Sequence, residues 1–254
     1  MNKELKFEIC IDSVQSAINA QAAGAHRVEL CDNLFEGGTT PSAGMIKQVK
    51  NIATDIKVFI IIRPRGGDFV YSNEEIEVML ADIEIAKQLG ADGFVSGCLL
   101  KSGEIDVKNT KKLIAACGDL PFTFHRAFDM CKDPFIALNK LIDIGVSRIL
   151  TSGMEQTALL GVQNISKLVE KAANKITILV GSGIKPDNIA KIGKITKASE
   201  FHFSARKTFD SPMEYKNEAI KMGGIPGLPE FNLFYSDFDI IKETIKAAQN
   251  IYIK

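Results

Sequence analysis

Ala23-Gly24-Ala25-His26-Arg27-Val28-Glu29-Leu30-Cys31 decides how the rest of the chain is read. A helical pattern ends at Gly24, which suits the left-handed position that closes a helix, and an extended run begins almost at once. In that run Arg27, Glu29 and Cys31 alternate with Val28 and Leu30, so one face is polar and the other apolar. The same junction recurs as Leu89-Gly90-Ala91-Asp92-Gly93-Phe94-Val95 and as Ile144-Gly145-Val146-Ser147-Arg148-Ile149-Leu150. Repeated helix-to-strand junctions imply alternating units and therefore parallel strands.

Carried outward, the pattern predicts strands at 7–11, 27–31, 57–63, 93–97, 121–125, 147–151, 176–181 and 200–204, with helices between them. Ser13, Pro41-Ser42, Ser72-Asn73-Glu74-Glu75, Asp133-Pro134 and Lys185-Pro186-Asp187 are helix-start signals. Such βα units suit a closed (β/α)8 barrel, with a doubly wound open sheet as the alternative. Buried strands of an open sheet are apolar on both faces. Here Glu8, Cys10 and Asp12 alternate with Phe7, Ile9 and Ile11, which favours a barrel with a polar lumen. After the last strand, Phe209 to Asn232 is rich in Gly and Pro, particularly Gly223 to Pro229, and reads as a long loop flanking a short helix near 213–221. Ser236 then caps a final helix with an apolar stripe of Phe238, Ile240, Ile241, Ile245 and Ala248. No linker divides the chain. The expectation is one α/β domain over 1–254, with a barrel core at 1–206 and a loop and C-terminal helical extension at 207–254.

Thirty-one basic and 31 acidic residues balance, so nothing draws the chain to nucleic acid or an anionic membrane. Charges at Lys3, Glu4 and Lys6 stand where a secretion signal needs an apolar core, and no apolar run reaches the ~20 residues that span a bilayer. A cytoplasmic location is expected. Cysteines at 10, 31, 98, 117 and 131 form neither a CxxC pair nor a disulfide framework, as befits reduced thiols.

A barrel's chemistry lies at the C-terminal ends of its strands. Glu8, Cys10, Asp12, Glu29, Cys31, Arg63, Arg65, His125, Arg126, Asp129, Ser152, Ser182, His202 and Ser204 fall there. His125 is the acid–base candidate, with Asp129 to orient it and Glu8 or Glu29 to exchange protons. His202 is a functional group or a satisfied core histidine. Arg126, next to His125, points away from the lumen unless the strand has already ended. Arg63-Pro64-Arg65-Gly66-Gly67-Asp68-Phe69 is an anion-reading loop or an Arg–Asp pair in a turn. Ser182 and Gly183, in Gly181-Ser182-Gly183-Ile184-Lys185-Pro186, form a second anion-binding candidate. Cys10 and Cys31 occupy matching positions on adjacent strands, where facing thiols suit Cu(I) or simply fill a core. No strand-end lysine is placed for a Schiff base.

Phe7-Glu8-Ile9-Cys10-Ile11-Asp12-Ser13, Arg27-Val28-Glu29-Leu30-Cys31, the Arg63–Phe69 loop, His125-Arg126-Ala127-Phe128-Asp129 and Gly181-Ser182-Gly183, taken in order, resemble the copper homeostasis protein CutC family over about 1–206. The resemblance implies a cytoplasmic TIM barrel, a homo-oligomer (dimer or tetramer), and a link to copper tolerance. It implies Cys10 and Cys31 as copper ligands, and a lumen site of Glu8, Arg27, Glu29, Arg63, His125, Arg126, Asp129, Ser182 and His202. Three readings stay open. One is a copper-homeostasis protein holding Cu(I) at Cys10 and Cys31. Another is a lyase, isomerase or hydrolase for a small phosphate or carboxylate, bound by Arg63 and the Ser182 turn. The last is a non-catalytic oligomeric scaffold.

Overall fold

Lys6–Ile11 forms β1, whose Phe7, Ile9 and Ile11 are buried against the helices while Glu8 and Cys10 take the opposite face. This is the alternation of the sequence made into architecture. The computed structural model describes residues 4–222, 227 and 229–251. Helix α1 (Val14–Ala22) leads to β2 (Arg27–Leu30), α2 (Ala43–Ile52) to β3 (Lys57–Ile61), and α3 (Asn73–Gln88) to β4 (Gly93–Ser96). Then α4 (Val107–Cys117), β5 (Phe122–Phe124), α5 (Pro134–Asp143) and β6 (Arg148–Thr151) continue the alternation. The barrel closes through α6 (Val162–Ala172), β7 (Thr177–Val180), α7 (Ile189–Thr196) and β8 (Glu200–Phe203), with β1 pairing both β2 and β8 in parallel.

Most helix starts obey their sequence signals. Ser13, Ser42 and Asp133 each accept a backbone N–H of the first turn, and Ser72 with Glu75 makes a full capping box. Lys185-Pro186-Asp187 is the exception, because it is a turn rather than a helix start. Asn188 closes that turn, accepting from Lys185 N–H at 2.9 Å and donating to Gly183 O at 2.8 Å, so α7 begins only at Ile189. The aliphatic faces of strands and helices form the outer core, whereas a separate inner cluster of Phe59, Ile61, Val95 and Cys31 fills part of the lumen. A Cβ on Gly93 would strike the Phe59 ring, so the glycine makes room for that aromatic plug.

The extension differs from expectation. Residues 212–222 are exposed and contain no helix, since a short amphipathic segment with no face to dock on is marginal in water. Of the predicted loop, 223–226 and 228 lie outside the described residues. Instead β9 (Arg206–Asp210) pairs antiparallel with β10 (Asn232–Ser236). Ser236 ends β10 rather than capping the last helix: its N–H donates to Ser16 Oγ and its carbonyl accepts from Asn19 Nδ2, which ties the ribbon to α1. Asp237 is the cap of α8 (Phe238–Ala248), accepting from Ile240 N–H at 3.0 Å. No helix among the described residues is long and apolar enough to cross a membrane.

Candidate functional site

Parallel register sets the lumen in layers. Glu8 of β1 is level with Arg27 of β2 and His202 of β8, and Cys10 is level with Glu29 one inward position higher. Period 2 then puts Glu200 one position below His202. The lower layer is an ion network. Arg27 bonds Glu8 through Nε and Glu200 through Nη2 at 2.8 Å, while Arg148 Nε lies 3.2 Å from Glu200. Both guanidinium groups lie over the Phe59 ring, 5.0 Å from its centroid. Arg27, which the resemblance implies as a lumen-site residue, therefore has Nε and Nη2 committed to two buried carboxylates.

Above this layer stand two thiols, a histidine and a carboxyl. Cys10 Sγ and Cys31 Sγ are 3.8 Å apart, and donor atoms of Cys10, Glu29 and Cys31 all lie within 4.8 Å of one another. His202 bridges the layers, with Nδ1 2.7 Å from Glu8 Oε1 and Nε2 3.6 Å from Glu29 Oε2. The hydrogen bond from the Cys31 thiol, helped by His202, outweighs burial and lowers the Cys10 pKa to about 5. Burial opposes a charge on His202, but bonds to Cys10 and Glu8 hold its pKa well above the usual imidazole value. Burial, then the neighbouring Cys10 charge, raises Glu29, and burial with the Cys10 bond raises Cys31. Burial would raise Glu8 too, yet Arg27 and His202 pull its pKa down to about 2. These shifts favour charge on Cys10 and His202 and disfavour it on Cys31 and Glu29.

The strand-five cluster departs from the sequence reading. β5 ends at Phe124, and His125 becomes the cap of a short 310 turn (Arg126–Met130), its Nδ1 accepting the Ala127 N–H at 3.2 Å. Asp129 does not orient His125. It accepts instead from Arg126 Nε at 2.8 Å, Thr151 Oγ1 at 2.5 Å, and the N–H groups of Ser152 and Met154 at 3.0 and 3.2 Å. Because the strand has ended, Arg126 swings into the barrel mouth while His125 turns into an apolar nook beside Phe69 and Phe124. Burial and then the Arg63 charge lower the His125 pKa to about 3, so it is a neutral core group rather than a base working near pH 7.

That assignment carries a pH test. In the unfolded chain His125 titrates near the ordinary 6.5. Its contribution is fully present above pH 6.5 and is lost as pH falls toward 3, because only the unfolded chain takes the proton. His125→Asn keeps a capping acceptor but does not titrate. Between pH 7.5 and 5.0 the wild type should lose about 2 kcal/mol relative to this variant in urea unfolding. Parallel pH profiles would show that His125 is not the buried neutral group.

The two arginines of the strand-three loop are also structural. Arg63 donates to the carbonyls of Glu36, Gly38 and Gly67 at 2.8–2.9 Å, pinning two loops over the barrel rim. Arg65 lies outside the lumen in a surface network with Glu75 and Asp68, the turn-pairing alternative read from its sequence. Ser182 and Gly183 do reach the lumen mouth. They line a cavity of about 580 Å³ that also receives Arg126, Lys185 and Arg206 and has Cys10 and His202 among its walls. Sequence reasoning passed over Glu200, Arg148, Lys185 and Arg206. The alternation Glu200-Phe201-His202 was a signal for the first, since it gives Glu200 and His202 the same face.

Comparison with known proteins agrees with this arrangement of motifs. Residues 5–207 match the model of the CutC family. A CutC family protein of Bacteroides fragilis is 50% identical over 245 residues, spanning 96% of this chain and 98% of that protein. The human copper homeostasis protein cutC homolog is 47% identical over 247 residues, 97% of this chain and 90% of its own. A crystal structure of CutC from Streptococcus agalactiae superposes with a TM-score of 0.76 at 36% identity, over 79% of this chain and 98% of that one. Thiamine phosphate pyrophosphorylase from Pyrococcus furiosus, at 15% identity and a TM-score of 0.59, covers 98% of this chain and 97% of its own and shares the fold alone. With the family model matched over most of the residues and near full-length relatives at about half identity, the chain belongs to the CutC family.

Proposed function

We propose that the protein is a cytoplasmic copper-homeostasis protein that holds Cu(I) at Cys10 and Cys31. The observation that carries this reading is the 3.8 Å spacing of the two sulfur atoms, with the Glu29 carboxyl within reach of both. Metal–thiolate bonds of about 2.3 Å on opposite sides of an ion would part the sulfurs by about 4.6 Å. The observed pair is closer, and Cys10 and Cys31 would hold an ion with Glu29 or His202 as a further donor. Thiolates are soft ligands that select Cu(I) over harder ions. Cys10 has the lowered pKa that suits a thiolate ligand, and Cys31 would have to lose its proton to bind the ion as well. The human relative's name, copper homeostasis protein cutC homolog, agrees with this role.

Anaerobic titration of the reduced protein with Cu(I) against bicinchoninate should show one equivalent bound. Cys10→Ser and Cys31→Ser should each weaken it at least 100-fold. Unchanged affinity in the doubly substituted protein would remove the copper site.

A further inference from the structure

Arg126, Lys185 and Arg206 line the 580 Å³ cavity together with Cys10 and His202, and no Asp or Glu does. The carboxylates that anchor the two arginines lie outside that lining. Asp129, only 5% exposed, holds Arg126 Nε, and Asp12 sits 3.1 Å from Arg206 Nη2. Arg126 Nη1 and Lys185 Nζ have no partner among the described residues.

Backbone donors meet these cations. Ser182 and Gly183 both adopt left-handed φ, 76° and 72°, a conformation that a serine rarely takes without cause. The strained turn is pinned from outside: Ser182 Oγ donates to Gln156 O at 2.8 Å and Ser182 O accepts from Ala158 N–H at 2.9 Å. The N–H groups of Ser182, Gly183 and Ile184 donate to nothing among the described residues, and all three residues line the cavity. Successive unpaired N–H groups in such a turn form a concave anion receptor. The turn follows β7 and Arg206 follows β8, the two strand ends where barrels of this class commonly hold phosphate.

We propose that this cavity binds a small phosphate monoester, with the phosphate seated on the Ser182–Ile184 turn between Arg126, Lys185 and Arg206. Three cations and three amides exceed what the two oxygens and single charge of a carboxylate require, whereas a dianionic group with three free oxygens uses them. The volume is far larger than a phosphate ion, so the remainder accommodates the organic part. That part lies along Leu34, Ile184 and Phe203 and meets Cys10 and His202 on the wall. The site does not depend on copper, because its anion-binding groups include neither cysteine.

The test is calorimetric titration of the full-length reduced protein with ribose 5-phosphate, ribose and inorganic phosphate at constant ionic strength. Ribose 5-phosphate should bind at least tenfold more tightly than inorganic phosphate, and ribose not at all. Arg126→Gln and Lys185→Gln should each weaken ribose 5-phosphate at least tenfold. Lys111→Gln, on the exposed face of α4, should leave it unchanged. Lys185 is exposed, so its variant folds even if Arg126→Gln does not. Absence of binding at 10 mM ribose 5-phosphate, affinity equal to that of inorganic phosphate, or indifference to both substitutions would each overturn the proposal.

Discussion

Arg27→Met should lower the unfolding free energy by about 3–5 kcal/mol at pH 7, because it removes the shared cation of a buried network and leaves two carboxylates short of a partner. Arg27 and Glu8 are 5% and 1% exposed, so water cannot replace the lost guanidinium. The effect has a pH signature as well. The depressed Glu8 pKa contributes stability that is complete above 4.5 and is lost as pH falls toward about 2. Without Arg27, the largest lowering influence on that pKa disappears, and this part of the acid limb should shrink. Equilibrium urea unfolding at pH 7 and pH 3.5 measures both effects. A loss below about 1 kcal/mol would mean that the lower lumen layer is solvated rather than buried. Replacing Glu8 by Gln in the same chain should recover part of the loss, since it is the unpaired charge that is costly.

Asp129→Ala should be nearly as damaging, at about 3–4 kcal/mol, from stranding several donors at once. The N–H groups of Ser152 and Met154 and the Thr151 hydroxyl all converge on this one carboxylate, which joins the turn after β5 to the loop after β6. Asp129→Asn retains acceptor oxygen but loses the charge, so it should cost roughly half as much. Both variants release Arg126 Nε from its anchor. Each should weaken phosphate-ester binding as strongly as Arg126→Gln, although Asp129 does not line the cavity. Urea unfolding and the ribose 5-phosphate titration check the two effects separately. An Asp129→Ala protein of wild-type stability would show that the convergence of donors on Asp129 is not energetically coupled.

Much of the fold was legible because it rests on local rules. Gly24, Gly90 and Gly145 all have positive φ at helix ends, as their sequence junctions demand. The alternation Glu8-Ile9-Cys10 and Arg27-Val28-Glu29 announces a polar lumen, since a strand has no other way to present two environments. That Cys10 and Cys31 both face inward on neighbouring strands was legible for the same reason, but they are not at matching positions, because the register sets Cys10 level with Glu29 and Cys31 one inward position higher.

The roles of the charged residues were less legible, because they turn on which partner is nearest. His125 and Arg126 exchange the roles that simple alternation assigns them, since β5 stops one residue earlier than its aromatic run indicates and the 310 turn rotates the next side chains. Arg27, Arg63 and Arg65 share a residue type with Arg126 and Arg206. The first three have their donors directed to buried carboxylates, loop carbonyls or surface acids, whereas Arg126 and Arg206 are each anchored by one carboxylate and still line the cavity.

By itself the sequence determined the parallel barrel, its polar interior and the residues available there, because periodicity and helix caps are properties of contiguous chain. Only the tertiary structure decided which of those residues are structural ion pairs, which form the thiol cluster and which face the cavity. A hydrogen bond or a pKa depends on distance and burial across strands that lie far apart in the chain. For Glu8 and His202 that separation is 194 residues of sequence and 2.7 Å of space.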